Sequence, residues 1–281
     1  MNFPALLIAL FIDRVFPDVT TWRQFAWLRG YFGWFGRQVW VTRLGNSIWP
    51  GITATLPLLL IVFWVQFTLA PSLGALFLFL FDLGILLLCL GPGNLDSDAD
   101  GFLQAASTGD PPLKQVFAET SIPDPANGDP EVDRISQGLL IAFCRSHMGP
   151  ICWFALLGPL GAVAYRLSER MQEASFSDAA IQSSGKRLFE LMNWIPARLS
   201  AAGFAIAGDF DAVAKAWKHA RPDPGTGSGS DGLLIATGQA ALPGLSDSGS
   251  MQRIQNTLTL AWRTLTLFVA ILGIAALLSW I

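Results

Sequence analysis

From Asn46 to Phe81 the chain carries no charged residue, a run long enough for two membrane helices. Ala70-Pro71-Ser72 divides the run, so the pattern predicts spans at about 48–70 and 72–91 with a tight turn between them. Pro57 is expected to kink the first, as neighbours in a bundle allow. Two further apolar blocks fill 137–165 and 190–208, and a last span fills 257–281, with Arg263 near its start and Trp280 at its end. Residues 1–12 are apolar but short for a crossing. They read as a tilted first helix or as one that only dips into the membrane, and Asp13-Arg14 after them as an interface pair. No basic n-region or small-residue cleavage site marks this stretch as a signal peptide.

The polar segments differ in kind. Residues 20–47 interleave Arg23, Arg29, Arg37 and Arg43 with Trp22, Trp27, Trp34 and Trp40, while Trp22, Phe25, Phe32, Phe35 and Val39 recur at roughly helical spacing. This predicts an amphipathic helix in the headgroup layer, arginines toward lipid phosphate; a platform for an anionic ligand is the functional alternative. Residues 92–136 set nine acidic groups against Lys114 and Arg134 and are broken repeatedly by proline and glycine. They read as a solvated connector with short helices at 102–107 and 113–120. Residues 209–256 begin with an amphipathic helix, DFDAVAKAWKHA, with Val213 and Trp217 on one face. A Gly/Ser-rich and mobile stretch, PDPGTGSGSDG, follows it.

Composition agrees with this pattern. Hydrophobic residues make up 52% of the 281 and charged residues 14%, against about a quarter charged in soluble domains. The fold expected is all-α: one polytopic membrane domain of about four to six helices, with one or two broken or re-entrant segments. A net charge of −3 gives nucleic-acid binding no electrostatic footing. Cys89, Cys144 and Cys152 form no paired spacing, and His147 and His219 stand alone, so neither a metal nor another cofactor is expected.

Chemistry concentrates where apolar blocks are interrupted. Arg145 and His147 precede Gly149-Pro150 in the first, and Asn193, Pro196 and Arg198 sit together in the second. Such groups are costly in hydrocarbon and face a bundle interior or a wet cavity. Arg145, His147, Tyr165, Arg166, Asn193 and Arg198 are therefore the candidate ligand-binding residues, suited to a small anion. His147 could also titrate near neutral pH. Taken one at a time, each is equally a helix-end or core residue satisfied by its surroundings. Asp82, inside the second span, is either an acid hydrogen-bonded to a neighbouring helix or a proton relay or ligand. Arginines flanking the spans place 13–47 and the acidic connector in the cytoplasm. Full crossings of both blocks would put the Arg166–Arg187 connector outside. The same rule therefore favours re-entrant blocks that fold back near Gly149-Pro150 and near Pro196, with 209–256 cytoplasmic and Ile281 outside.

No Walker A, G-x-S-x-G, H-E-x-x-H or dinucleotide fingerprint occurs; SSGKRL at 183–188 lacks the first glycine and the final Ser/Thr of a phosphate loop. Five other segments are more informative: C-L-G-P-G at 89–93, F-L-Q-A-A-S at 102–107, G-P-I-C-W-F at 149–154, G-A-V-A-Y-R at 161–166 and N-W-I-P-A-R-L-S at 193–200. In this order and spacing the chain resembles the AmpE family of bacterial inner-membrane proteins, a branch of the CobD/CbiB superfamily, over nearly its whole length.

The resemblance implies two functions. AmpE proteins are linked to β-lactamase induction and peptidoglycan-recycling sensing beside the amidase AmpD. CobD/CbiB proteins join a corrinoid acid to an aminopropanol unit. In the latter a Glu-Asn and an Asp precede the shared Ala-Pro, where this chain has Ile141-Ala142 and Arg145 or Ser146. Their Asn-Thr-Leu-Asp corresponds here to Glu169-Arg170-Met171-Gln172. Nucleotide-driven acyl activation needs carboxylates for Mg²⁺ and bases for the amine, so these replacements argue against corrinoid amidation. Tyr165, Arg166, Pro196, Ala197 and Arg198 persist.

The expected function is thus an AmpE-like sensor in a bacterial inner membrane, in contact with lipid and with an anionic, cell-wall-derived or other small ligand. An amide-forming synthase using Asp13, Asp82, Glu169 and Glu190 is the alternative. A transporter is the third reading, although no internal repeat of the usual kind is visible.

Overall fold

The computed structural model describes residues 3–15, 26–38, 47–69, 74–90, 130–173, 179–220, 229–242 and 250–278, and every regular element among them is helical. In chain order these are α1 (Phe3–Val15), α2 (Ala26–Gly36), α3 (Trp49–Trp64, continued by a π turn at Val65–Leu69) and α4 (Ala75–Cys89). Then come α5 (Pro130–Phe143), a π turn at Cys144–Met148, α6 (Gly149–Leu157), α7 (Pro159–Met171) and α8 (Ala179–Ala207). The last three are α9 (Phe210–His219), α10 (Gly229–Ala240) and α11 (Ser250–Leu278).

Among the described residues, three helical stretches are long and apolar enough to cross a bilayer: Trp49–Thr68, Ile135–Leu157 and Gln252–Leu278; α4 is a shorter apolar helix. Only 17% of the first and 22% of the third is buried, against 67% of the second, so the second is enclosed by protein while the others offer lipid faces. Leu60, Ile61 and Trp64 on α3 and Ile274 and Leu277 on α11 are all more than half exposed. A helix can carry such a face in hydrocarbon, because its backbone bonds close within the segment.

Helices α3, α4 and α11 stand at the positions expected for the spans at 48–70, 72–91 and 257–281, although α4 as described is shorter than a crossing needs. The fold-backs expected near Gly149-Pro150 and near Pro196 are absent from the described helices. The helix runs through Gly149-Pro150, where the π turn at Cys144–Met148 accommodates the N–H that Pro150 lacks. The first block breaks instead at Gly158, whose φ of +67° is open to glycine, and Pro159 starts α7 where a missing N–H costs nothing. The second block is unbroken: α8 passes straight through Pro196. The turn at Ala70-Pro71-Ser72, the acidic connector up to residue 129 with its expected short helices, and Trp22, Phe25 and Val39 lie outside the described residues; the connector's last seven residues, read as solvated, are instead the start of α5, with Ile135 and Ser136 buried.

The chain divides into two compact units, Met1–Pro92 with Gly149–Trp194 and Ala276–Ile281, and Gly93–Met148 with Ile195–Ala275. In the first, α1 packs on α4, α6 and α7 form a hairpin, and α7 packs on α3 and α4. The apolar face of α2 is buried there: Leu28, Phe32 and Phe35 pack with Ala54, Leu167, Met171 and Ile181, while Trp27, Arg29 and Trp34 stay exposed. The helix is amphipathic as expected, with protein against the described part of its apolar face. Ser184 on α8 caps α3 from outside: its hydroxyl donates to the Ile48 carbonyl (2.9 Å) and accepts from the Gly51 N–H (2.6 Å), while Ile48 itself supplies no side-chain cap. That is what the phosphate-loop-like SSGKRL does in the fold.

In the second unit α10 packs on α5 and α9. Gly203 on α8 lies so close to Thr264 on α11 that a methyl group would overlap it, the small-residue contact by which membrane helices approach. The helix at 210–219 is present, capped by Asp209, whose carboxylate accepts from the Ala212 N–H at 3.0 Å. Val213 is buried as expected. Helix α10 is a correction: part of the stretch read as mobile is ordered, because Leu233, Leu234 and Thr237 bury one face.

Candidate functional site

Three of the motif segments meet in the first unit. Tyr165 on α7 is fully buried, and its hydroxyl donates to the Asn193 Oδ1 on α8 at 3.0 Å. Gly149 on α6 lies against that same ring. A Cβ there would overlap Tyr165 at Cζ, Cε1 and the hydroxyl, so only glycine fits. Phe189 flanks the ring at 5.4 Å between centroids. One turn beyond Gly149, the Trp153 indole N–H donates to the Met192 carbonyl at 2.9 Å. Met192 is four residues before Pro196, so its carbonyl is the one that loses its helical donor to the proline. Trp153 replaces that donor, and α8 stays helical.

Arg166 follows Tyr165 and is 3% exposed. Its Nη1 pairs with Glu169 one turn later, whereas Nε and Nη2 are buried with no hydrogen-bond partner among the described residues. Burial alone would favour losing the proton, but Glu169, helped by Cys89 and Tyr165, holds the guanidinium above its ordinary value. Helix α7 is amphipathic and is not one of the crossing stretches. Each orphaned donor in dry protein costs about 1–3 kcal/mol. Asp82 is also buried in this unit, on the face of α4 that carries Leu86 and Cys89.

The other candidates lie in the second unit. Arg145 pairs with Asp231 at 2.6 Å, so its charge is met within the chain. His147 is 3% exposed and sits between Phe143, stacked at 6.3 Å, and the edge of Trp262 at 5.5 Å. The Ser146 hydroxyl donates to the Ala142 carbonyl, so at 2.6 Å from His147 Nδ1 it acts as acceptor and Nδ1 bears the proton. Arg198 is half-buried on α8. An apolar groove of about 360 Å³ runs between the end of α8 and α9, lined by Ala205, Ile206, Phe210, Val213 and Trp217, with Lys218 on its edge.

The structure therefore joins Tyr165 to Asn193 directly and places Arg166 beside Tyr165. Arg145 and His147 share one π turn, each with its own partners. Sequence reasoning did not pair Glu169 with Arg166, although the i,i+3 spacing was visible. It also missed Asp231, which had no signal beyond its sign.

The family model described as "Regulatory signalling modulator protein AmpE" matches residues 1–279. The chain belongs to the AmpE family. Membership covers both units, so the Tyr165–Asn193 knot and the His147 turn are parts of an AmpE-family membrane protein. A more distant relative is "Cobalamin biosynthesis protein CobD" of Stutzerimonas stutzeri (strain A1501), 25% identical over 96% of each chain. It supports the tie between the AmpE family and the CobD/CbiB superfamily. No solved structure matches the chain.

Proposed function

We propose that this AmpE-family protein is an inner-membrane sensor in the signalling that couples peptidoglycan recycling to β-lactamase induction. Its ligand in this reading is a small anion derived from the cell wall, held at the knot of Tyr165, Arg166 and Asn193. The observation that carries the reading is Arg166: a buried cation in a membrane protein, satisfied on one side by Glu169 and without a hydrogen-bond partner among the described residues on the other. Arg166 is nearly fully buried, and the two nitrogens concerned, Nε and Nη2, lie on one edge.

Corrinoid amide formation, suggested by the CobD relative, is less well supported. That chemistry asks for carboxylates at Mg²⁺ and for a base, and Glu169 is already committed to Arg166. The acidic positions expected before the shared Ala-Pro hold Ile141-Ala142 instead.

The test is genetic. In the native bacterium, deletion should alter β-lactamase induction by a β-lactam, and wild-type protein should restore the response. Asn193→Ala should fail to restore it while reaching the membrane at near wild-type level. An unchanged response on deletion removes the reading. Mg²⁺-dependent nucleotide turnover by the purified protein would instead favour the synthase.

A further inference from the structure

We infer that the unpaired edge of Arg166 is the seat of a carboxylate, bound through two parallel N–H···O bonds. This deepens the sensor reading and rests on it. A guanidinium has distinct edges, and Nε–H and one Nη2–H point the same way, spaced to meet both oxygens of one carboxylate. Glu169 occupies Nη1 and leaves that two-donor edge open, and both of its nitrogens are buried with no hydrogen-bond partner among the described residues.

Charge selects among oxyanions. Glu169 already neutralises Arg166, so any anion at the fork brings uncompensated negative charge into dry protein. A carboxylate brings one unit and a phosphate nearer two, and desolvation penalises the second far more steeply. The fork is closed to water as it stands, so the ligand must displace the side chains in front of it. That displacement couples occupancy to a change in the packing of α7, since Tyr165, next in sequence, is locked between Gly149, Phe189 and Asn193.

The same geometry gives Glu169 an unexpected sign. Glu169→Gln keeps an acceptor for Nη1 and removes the competing charge, so it should strengthen carboxylate binding. Arg166→Lys keeps the charge but has no fork, and should abolish it.

The experiment is thermal unfolding of the detergent-purified protein in sodium acetate, sodium phosphate or sodium chloride at equal ionic strength. Acetate should raise the midpoint of the wild type above its value in chloride, phosphate should raise it less, and Glu169→Gln should show at least twice the acetate increment. Arg166→Lys should unfold at one midpoint in all three salts. Equal wild-type midpoints in acetate and chloride overturn the inference, as does an acetate increment that survives in Arg166→Lys or vanishes in Glu169→Gln. A larger phosphate increment overturns the choice of carboxylate. Should Arg166→Lys not fold, the comparison of Glu169→Gln with wild type still decides. Failure here leaves the induction result of Asn193→Ala standing, so the two ideas fall separately.

Discussion

Trp153 donates its indole N–H to the carbonyl of Met192, the group that Pro196 leaves without a helical donor. One hydrogen bond thus ties the 149–154 segment to the residue just before the 193–200 segment and explains how a helix of 29 residues carries an internal proline unbroken. Trp153→Phe should cost about 1–2 kcal/mol, since it leaves a partly buried carbonyl unmet. Pro196→Ala restores an N–H at position 196, so in that background the Trp153→Phe cost should fall by about 1 kcal/mol or more. Equilibrium unfolding of the four proteins in mixed micelles measures the cycle; strictly additive costs would show that the indole does not serve the proline.

Gly149 is the second contact of this kind. A methyl group there collides with Tyr165, whereas Gly84 on α4 has nothing within 4 Å of where its Cβ would stand. Gly149→Ala should therefore destabilise by about 1–3 kcal/mol or more through overpacking. Gly84→Ala should be neutral or stabilising by up to about 1 kcal/mol. Equal unfolding midpoints for the two variants would contradict the close approach.

The apolar helices α3 and α4 were legible because a charge-free run divided by proline has few other solutions. The segments that meet at Tyr165 were legible as motifs, yet their contacts were not. Whether Gly149 or Trp153 faces a neighbour depends on how each helix is rotated, which spacing along one chain does not state. The break was expected at Gly149-Pro150, but Pro150 falls just after a π turn, whereas Gly158 takes a positive φ of +67°. Helix α10 escaped because Gly and Ser are poor local formers, and burial of Leu233 and Leu234 overrode that.

Arg145 and Asp231 hold α10 to the π turn after α5, and both are partly screened, at 30% and 18% side-chain exposure. Reversing either charge alone should lower the unfolding midpoint, and reversing both should recover most of the loss. For a pair so exposed the coupling is expected near about 0.5–1 kcal/mol. No recovery in the double variant would mean that Asp231 is not the partner that matters.

His147→Ala and Arg198→Ala are expected to weaken induction while leaving the membrane level near wild type. For His147 the ring itself packs between Phe143 and Trp262, so alanine confounds packing with chemistry. His147→Phe keeps a ring and removes the Nδ1–H that meets Ser146. It should signal as poorly as alanine. If His147→Phe signals normally, or if both alanine variants disappear from the membrane, these residues are structural.

Asp82 is 5% exposed on the face of α4 shared by Leu86 and Cys89, and α4 packs against α1 and α7. An acid in that position can be kept as a hydrogen-bonding group or as a carrier of protons, and the two roles part on substitution. Asparagine has the same shape and retains a carbonyl oxygen, but it cannot exchange a proton. If hydrogen bonding is the role, Asp82→Asn should leave both the membrane level and induction close to wild type, whereas Asp82→Leu should lower the level by orphaning its neighbours. A normal level of Asp82→Asn with induction lost would instead assign Asp82 to proton transfer, and the sensor would then have to be sought along α4 as well as at Arg166.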